Sequence, residues 1–503
     1  MRGTLKIRLA AVGAMILAAT VARAQQQGTD QSTQPTQPTQ STQPTQPTQP
    51  SQPIPAYHSP LASAAANGDE TYDPQKLSPD TTALTGIQDL SLGVPATTHS
   101  YWLPHLDFSS TVDTNPLAGQ GQSGLTTFIS VFGGIDLHRD SGNSALTLDY
   151  VGGGSFSNDG SISNGIVQGL NFTERLSYRR YVLSFFDQFM YAPQTTLGAA
   201  GIPSGPTLPG VGTGGIGNGY LPGQSILTAR GQRVTNFTGG ELDYLLNSRS
   251  SLTFVGGYNL LDSLDDNQLN YGNVIFSAGY NYQMSRANTI GLSYQFSSFN
   301  YSNVDQSIKN NIIAVSYGRR ITGRLAFQVS GGPDITLIKM PITSTPGSTS
   351  GAPGSSMTQV YGYFNTSLQY RLERTSLGAA YNHGVSGGSG VLAGSVVDNV
   401  TGNVNRQVSR TFNLGWNAGF SRNRGLAING TTTTNQTFDY WFTGVTVSHP
   451  LGRSLNIFLS YQLQYQNTNS SICTGNVACG TGTSLTRNQV TFGLGWHRQP
   501  IPF

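Results

Sequence analysis

Charge is scarce in this 503-residue sequence: only 10% of residues are Asp, Glu, Lys or Arg, and the formal net charge is +3. Such a chain offers no basic stripe for a nucleic acid, so none is expected as a partner. Long apolar runs are missing too. A membrane-spanning helix needs roughly 18 or more consecutive apolar residues, and the longest run here, from Leu9 to Val21, is shorter. The pattern argues against a helical membrane protein. The buried Leu, Ile and Val runs that mark the cores of a soluble multidomain chain are also absent.

Cysteine is limited to Cys473 and Cys479, in a stretch of Gly, Asn and Thr. No His lies near enough in sequence to complete a metal site, so the pair is expected to close a small disulfide ring at a loop tip. The seven histidines, His58, His99, His105, His138, His383, His449 and His497, are scattered without ligand spacing. No Ser sits in a nucleophile-elbow context. Asp262, Asp265 and Asp266 form a weak acidic cluster on one predicted external loop, better read as a solvated loop or a weak cation site than as an active-site pair. Gly210 to Gly219 lacks the Lys of a phosphate loop. No catalytic residue, metal or cofactor is therefore expected.

What the chain does have is glycine, at 62 residues, and aromatics, at 10%. Its N-terminus has Arg2, Lys6 and Arg8 before an apolar core that ends at Ala22-Arg23-Ala24, the pattern of a signal peptide over 1–24. Residues 25–56 are built from Gln, Thr, Ser and Pro, which cannot bury a core; they read as a disordered linker, either a passive tether or a periplasmic spacer or cell-wall contact. Residues 57–100 have little periodicity and suit either a periplasmic segment or a plug.

From Tyr101 to Phe503 the dominant pattern is alternation. Leu455, Ile457, Leu459, Tyr461, Leu463 and Tyr465 share one phase, while Asn456, Ser460, Gln462, Gln464 and Gln466 share the other. Period two places an apolar medium on one face of a sheet and water on the other. Segments of this kind are predicted near 101–112, 124–137, 144–157, 164–179, 180–191, 232–247, 250–261, 270–284, 288–300, 306–320, 323–337, 357–372, 375–386, 406–422, 424–437, 438–450, 453–467 and 485–497. The fold class is all-β: a transmembrane antiparallel up-and-down β-barrel of about 18 strands, with 16 as the alternative.

Loop lengths supply an independent argument, because such barrels alternate tight periplasmic turns with longer external loops. Short turns are predicted at Arg139 to Asn143, Arg179-Arg180, Asn247 to Ser250, Ser285 to Ala287, Thr322-Gly323, Glu373-Arg374, Asn423 and Pro450 to Gly452. Long connections include 192–231, 338–356, 387–405 and 468–484. A soluble β-sandwich would share the alternation but would fill the apolar phase with Val, Ile and Leu; here it is heavy in Tyr, Phe and Trp.

The opposite phases supply candidate pore-lining or constriction residues: Glu241, Asp243, Gln283, Gln295, Tyr361, Tyr363, Arg371, Gln462 and Gln464. Glu174 shares a phase with Leu170, Phe172 and Leu176, which implies either a rim position or a register error. The third external loop, 192–230, is the longest, and reads as a constriction folded into the lumen or as a surface cover. Arginines concentrate near predicted periplasmic turns, Arg319, Arg320, Arg422 and Arg424 among them. They suit anchoring to lipid headgroups or, if inward, a field that favours anions.

The ensemble resembles bacterial outer-membrane barrels of the porin-like kind. More narrowly, Tyr72-Asp73-Pro74, Pro79-Asp80-Thr81, Asp113-Thr114-Asn115-Pro116 and the segment Tyr381-Asn382-His383-Gly384-Val385-Ser386-Gly387-Gly388-Ser389-Gly390-Val391 resemble a largely uncharacterised family of such barrels, some linked to exopolysaccharide export. The resemblance implies a bacterial outer-membrane location with the N-terminal segment in the periplasm, contact with outer-membrane lipid or lipopolysaccharide, and insertion by the barrel-assembly machinery. Either Trp496 or Phe503 would serve as the terminal aromatic signal. The expected function is passive diffusion of small hydrophilic solutes. The alternatives are a conduit for a secreted polysaccharide and a non-conducting adhesive barrel, as monomer or trimer.

Overall fold

The computed structural model describes residues 100–114, 124–158, 164–193, 232–264, 269–302, 306–339, 356–388, 392–426, 436–469, 484–499 and 501–503. The expected signal peptide, the linker, nearly all of 57–100, most of the 192–230 loop, Asp265, Asp266 and both cysteines lie outside the described residues.

The strands are β1 (Tyr101–Asp113), β2 (Thr126–Ser141), β3 (Ser144–Ser157), β4 (Gly165–Ser177), β5 (Tyr181–Pro193), β6 (Gln232–Asn247), β7 (Ser250–Ser263), β8 (Tyr271–Gln283), β9 (Asn288–Tyr301) and β10 (Ser307–Thr322). They continue with β11 (Leu325–Lys339), β12 (Ser356–Arg371), β13 (Thr375–Ser386), β14 (Ser395–Gln407), β15 (Asn413–Gly425), β16 (Thr437–Leu451), β17 (Leu455–Thr468), β18 (Ser484–His497) and the two-residue β19 (Ile501–Pro502). Each of the first seventeen pairs antiparallel with the next, and β18 pairs back onto β1, from His105 opposite His497 to Asp113 opposite Gln489. The sheet is a closed antiparallel barrel of eighteen strands, so neither end strand is left as an open edge. β19 continues the wall beside β1, with Ile501 opposite Trp102.

That seam explains how a strand can hold Pro104. The ladder along β1 is interrupted between His497 and Ile501, opposite Pro104, whose carbonyl accepts from the Arg498 amide at 3.2 Å. The N–H that proline lacks therefore falls where no ladder partner is required. Trp496 lies on the outward phase of β18, and Phe503 follows β19 and is exposed.

Side chains divide as the alternation requires. Leu106, Phe108, Val274, Phe276, Tyr280, Leu292, Tyr294, Leu459, Tyr461 and Tyr465 are exposed on the outer surface, while Asp107, Ser109, Asn273, Ser277, Gln295, Ser460 and Gln464 are buried on the inner one. On β5 the outward phase runs from Tyr181 to Tyr191. At about 3.3 Å per residue and a tilt near 45°, that run rises roughly 23 Å, close to the height of the apolar band of a membrane barrel. The inner phase is not wholly polar. Phe458 of β17 points inward over Gly493 of β18 and packs with Phe132 and Val167; a glycine opposite an aromatic leaves room for the ring to lie flat against the wall.

One stretch departs from the sequence prediction. The predicted 387–405 loop contains most of β14, the predicted 406–422 strand spans the end of β14, a turn at 408–412 and most of β15, and no strand is described between Gly425 and Thr437. The errors compensate, so the strand number survives but the local orientation inverts. Asn423, expected in a short turn, is a buried residue near the long-loop end of β15. Arg422 and Arg424 lie at that same end, on the outer surface: Arg422 pairs with Asp439 at 2.7 Å and Arg424 with Asp398 at 3.0 Å. Arg319 also faces outward, opposite Phe327, whereas Arg320 has the inward phase. These arginines do not converge on the lumen.

Glu174 is on the outward phase, three residues from the short-turn end of β4, near the Ser144 hydroxyl at 3.4 Å. It has a rim position. Asp187 is different, because it faces outward halfway along β5 and forms a polar cluster with Asn236, whose amide donates at 3.2 Å, and with the Thr238 hydroxyl. Replacing all three together, Asp187→Leu, Asn236→Leu and Thr238→Val, removes polar groups from the lipid face without orphaning a partner. The expected result is a higher urea midpoint of unfolding in detergent micelles; a lower midpoint would contradict a lipid-facing position.

Candidate functional site

Among the described residues, one hairpin end turns inward at the long-loop end of the barrel. The ladder between β12 and β13 runs only from Arg371 opposite Ser376 to Phe364 opposite His383, and does not extend along residues 356–363, the upper part of β12. Beyond His383 the chain leans inward across β12. The Val385 amide donates to the Asp334 carboxylate on β11. The Tyr301 hydroxyl of β9 donates to the Gly387 carbonyl at 3.0 Å, and the Gln306 amide donates to the Ala393 carbonyl at 3.0 Å. Val385 and Leu426 join Tyr271, Phe299, Tyr301, Ile308 and Ile338 in an apolar cluster on the inner wall.

Glycine makes this close approach possible. A Cβ on Gly387 would stand 2.8 Å from Tyr271 Cζ and 3.0 Å from Phe299, while Gly388 and Gly394 have φ of 78° and 86°, in the left-handed region. The glycine-rich segment from Tyr381 to Val391 thus receives a structural account for its described part: it lets a strand end turn into the barrel. The connection predicted to constrict the lumen, 192–230, lies for the most part outside the described residues.

Below this hairpin end lies a wall built by β8 to β12. Cross-strand register aligns Ser277, Gln295, Ile312, Asp334 and Tyr361 in one row, and Ser297, Asn310, Thr336 and Gln359 in the row nearer the long loops. The Tyr363 hydroxyl is hydrogen-bonded to Ser330 and Gln295. The Tyr361 hydroxyl donates to Gln359. Thr336 donates to Asp334 at 3.0 Å.

All nine candidates have the inward phase of their strands, and the structure brings together Gln295, Tyr361 and Tyr363. The others are dispersed. Glu241 and Asp243 lie buried on β6, Asp243 accepting from the Thr253 hydroxyl at 2.6 Å. Gln283 and Arg371 end β8 and β12 at the short-turn rim, where their backbone amides donate to the Arg249 and Arg324 carbonyls. Gln462 and Gln464 belong to the inner face of β17.

Sequence spacing gave no sign of a second inner group. His105 lies 3.6 Å from Asp136 and 3.9 Å from Asp107; Asp136 is directly opposite Asp149, which accepts from Asn171 at 3.0 Å. These residues come from four strands and meet only through register, so only a correct set of strand pairings, β1 to β4, could have revealed them.

The architecture is that of an outer-membrane β-barrel. No family model matches the sequence, and no curated protein is similar to it. Solved structures with some likeness include OpdQ of Pseudomonas aeruginosa, 12% identical over 80% of this chain and 99% of that one with a TM-score of 0.39. OprD of the same organism is 10% identical over 84% and 100%, with a TM-score of 0.37. The FrpB iron transporter of Neisseria meningitidis, F5-1 variant, is 8% identical over 83% and 88%, with a TM-score of 0.40. At these scores neither a residue's role nor a solute passes from them to this chain.

Proposed function

We propose that the chain is a bacterial outer-membrane channel that lets small hydrophilic solutes diffuse through its lumen, with the short turns and the N-terminal segment in the periplasm. The observation that carries this reading is the division of side chains around a closed circumference: aromatics and aliphatics outward, amides and hydroxyls inward. Eighteen strands give a circumference wide enough for an aqueous path. The in-turned hairpin end supports size selection at the mouth, since it crosses β12 to reach β11 and β9. The reading assigns the chain no catalytic role.

Proteoliposomes swollen with sugars of graded size test it. Uptake that falls steeply with solute size is the expected result. No uptake of any size would favour an adhesive barrel, and uptake without a size limit would argue against selection at the mouth.

A further inference from the structure

Among the described residues, the inner faces of β13 to β17 carry no Asp, Glu, Lys, Arg or His. The charges of those strands, Asp398, Arg406, Arg422, Arg424 and Asp439, take the outward phase. The inner faces of β1 to β4 and of β6 differ, for they hold Asp107, Asp136, Asp149, Arg175, Glu241 and Asp243. The lumen is thus electrically one-sided. On the uncharged side the polar groups are open to it: Asn403 is exposed, and Asn405, Asn417 and Gln462 are half-buried. The hairpin end, seated on β9 and β11, does not cover them. Register sets Asn403 beside Asn417, and Asn417 two strands from Gln462 with Gly444 between. Glycines let these side chains lie flat on the wall, since a Cβ on Gly444 would stand 2.5 Å from Asn417 Oδ1 and one on Gly378 would collide with Asn403. One row nearer the long loops, the Phe442 ring lies over Gly419 in the same way and is half-buried, so part of it faces the lumen.

We propose that the inner wall of β14 to β16 is a track for a neutral oligosaccharide laid along the strands. The inference rests on the channel reading and names its solute class. On β14 every inward residue from Asn399 to Gln407 is an amide or, at Thr401, a hydroxyl. These side chains recur about every 6.6 Å over roughly 26 Å of strand, so a chain of linked rings meets the same kind of partner at each step. Carboxamides donate and accept, as sugar hydroxyls do, and Phe442 offers an apolar surface to the C–H face of a ring. Weak sites in series let a solute enter and also leave. An ionised chain would give up hydration here and find no counter-ion on five consecutive strands.

The test uses the full chain in planar bilayers, with maltose and maltohexaose as probes and hexagalacturonate as the charged control of equal length. Both neutral sugars are expected to block the potassium chloride current saturably, maltohexaose at about a tenth of the maltose concentration, and hexagalacturonate more weakly than maltohexaose. In the double variant Asn403→Ala and Asn417→Ala, the half-blocking concentration of maltohexaose should rise about tenfold with the ion conductance retained. Gln188→Ala, on the inner face of β5, should leave it unchanged. Should the double variant fail to migrate as a folded barrel, Asn403→Ser with Asn417→Ser takes its place. A conducting channel overturns the track if maltohexaose does not block it, blocks no better than maltose, or blocks the double variant equally well. So does a Gln188→Ala effect as large as that of the double variant, or block by hexagalacturonate as strong as by maltohexaose. If the chain conducts nothing, the channel reading fails, and maltohexaose titrated calorimetrically into the solubilised protein still decides the track: heat lost in the double variant supports it, and no heat, or heat indifferent to the substitutions, overturns it.

Discussion

Arg487→Ala should lower the unfolding free energy of the barrel by about 3–5 kcal/mol, the usual cost of leaving one partner of a buried ion pair alone. Arg487 and Asp113 are 3% and 0% exposed in their side chains, and the Arg487 Nε donates to the Asp113 carboxylate at 2.8 Å. Gln489 donates to the same carboxylate at 3.0 Å, and Thr111 and Thr491 share a hydrogen bond of 2.9 Å just below. All five residues belong to β1 or β18, so this polar ladder lies on the one seam that joins residues more than 370 positions apart. Every other seam is helped by a connection between consecutive strands; this one must be held by its own side chains and backbone ladder. Urea unfolding in detergent, followed by the mobility of the folded band on gels, provides the measurement. Removing both charges with Asp113→Leu and Arg487→Leu should cost less than Arg487→Ala alone, because no unpaired charge remains. A single-variant loss below about 1 kcal/mol would show that the pair does not hold the seam.

How far the sequence discloses this molecule depends on how cleanly each strand keeps its phases apart. β8, β9 and β17 were legible because their outward phases are almost purely apolar, as in Val274, Phe276, Ala278, Tyr280 and Tyr282. β14 was not. Its outward phase mixes Val396, Val400 and Val404 with Asp398, Gly402 and Arg406, while Val397 takes the inward phase. Asp398 is tolerated there because it lies at the rim, where His383 at 2.6 Å, Tyr381 at 2.9 Å and Arg424 at 3.0 Å surround it. An ion cluster at a strand end thus erased the periodicity that would have revealed the strand. The inner wall was legible in composition but not in grouping. Gln295, Tyr361 and Tyr363 could be placed on the inward phase one by one, yet their meeting depends on the register of four strands and on a hairpin end that leaves the wall after His383. No local pattern encodes that departure apart from the glycines around 384–388 and 394.

Those glycines give the second large effect. Gly394→Val puts a β-branched residue at a φ of 86°, where its Cβ would also collide with Ile308 and Leu426. The residue precedes β14, one position beyond its last ladder pair, where its carbonyl accepts from the Leu426 amide at 3.3 Å, so the barrel wall should close as before while the hairpin end loses its seat on Ile308. With Val385 and Gly387 no longer held against β11 and β9, the mouth widens. Single-channel conductance is expected to rise on the order of twofold, since an ion pore's resistance is concentrated at its narrowest part. Gly142→Val is the control: φ there is 58°, so the backbone is strained in the same sense, but nothing lies within 4 Å and the turn joins β2 to β3 at the opposite end. If conductance rises in both variants, backbone strain rather than the hairpin end controls it; if it rises in neither, although both fold, the hairpin end is not what limits flow.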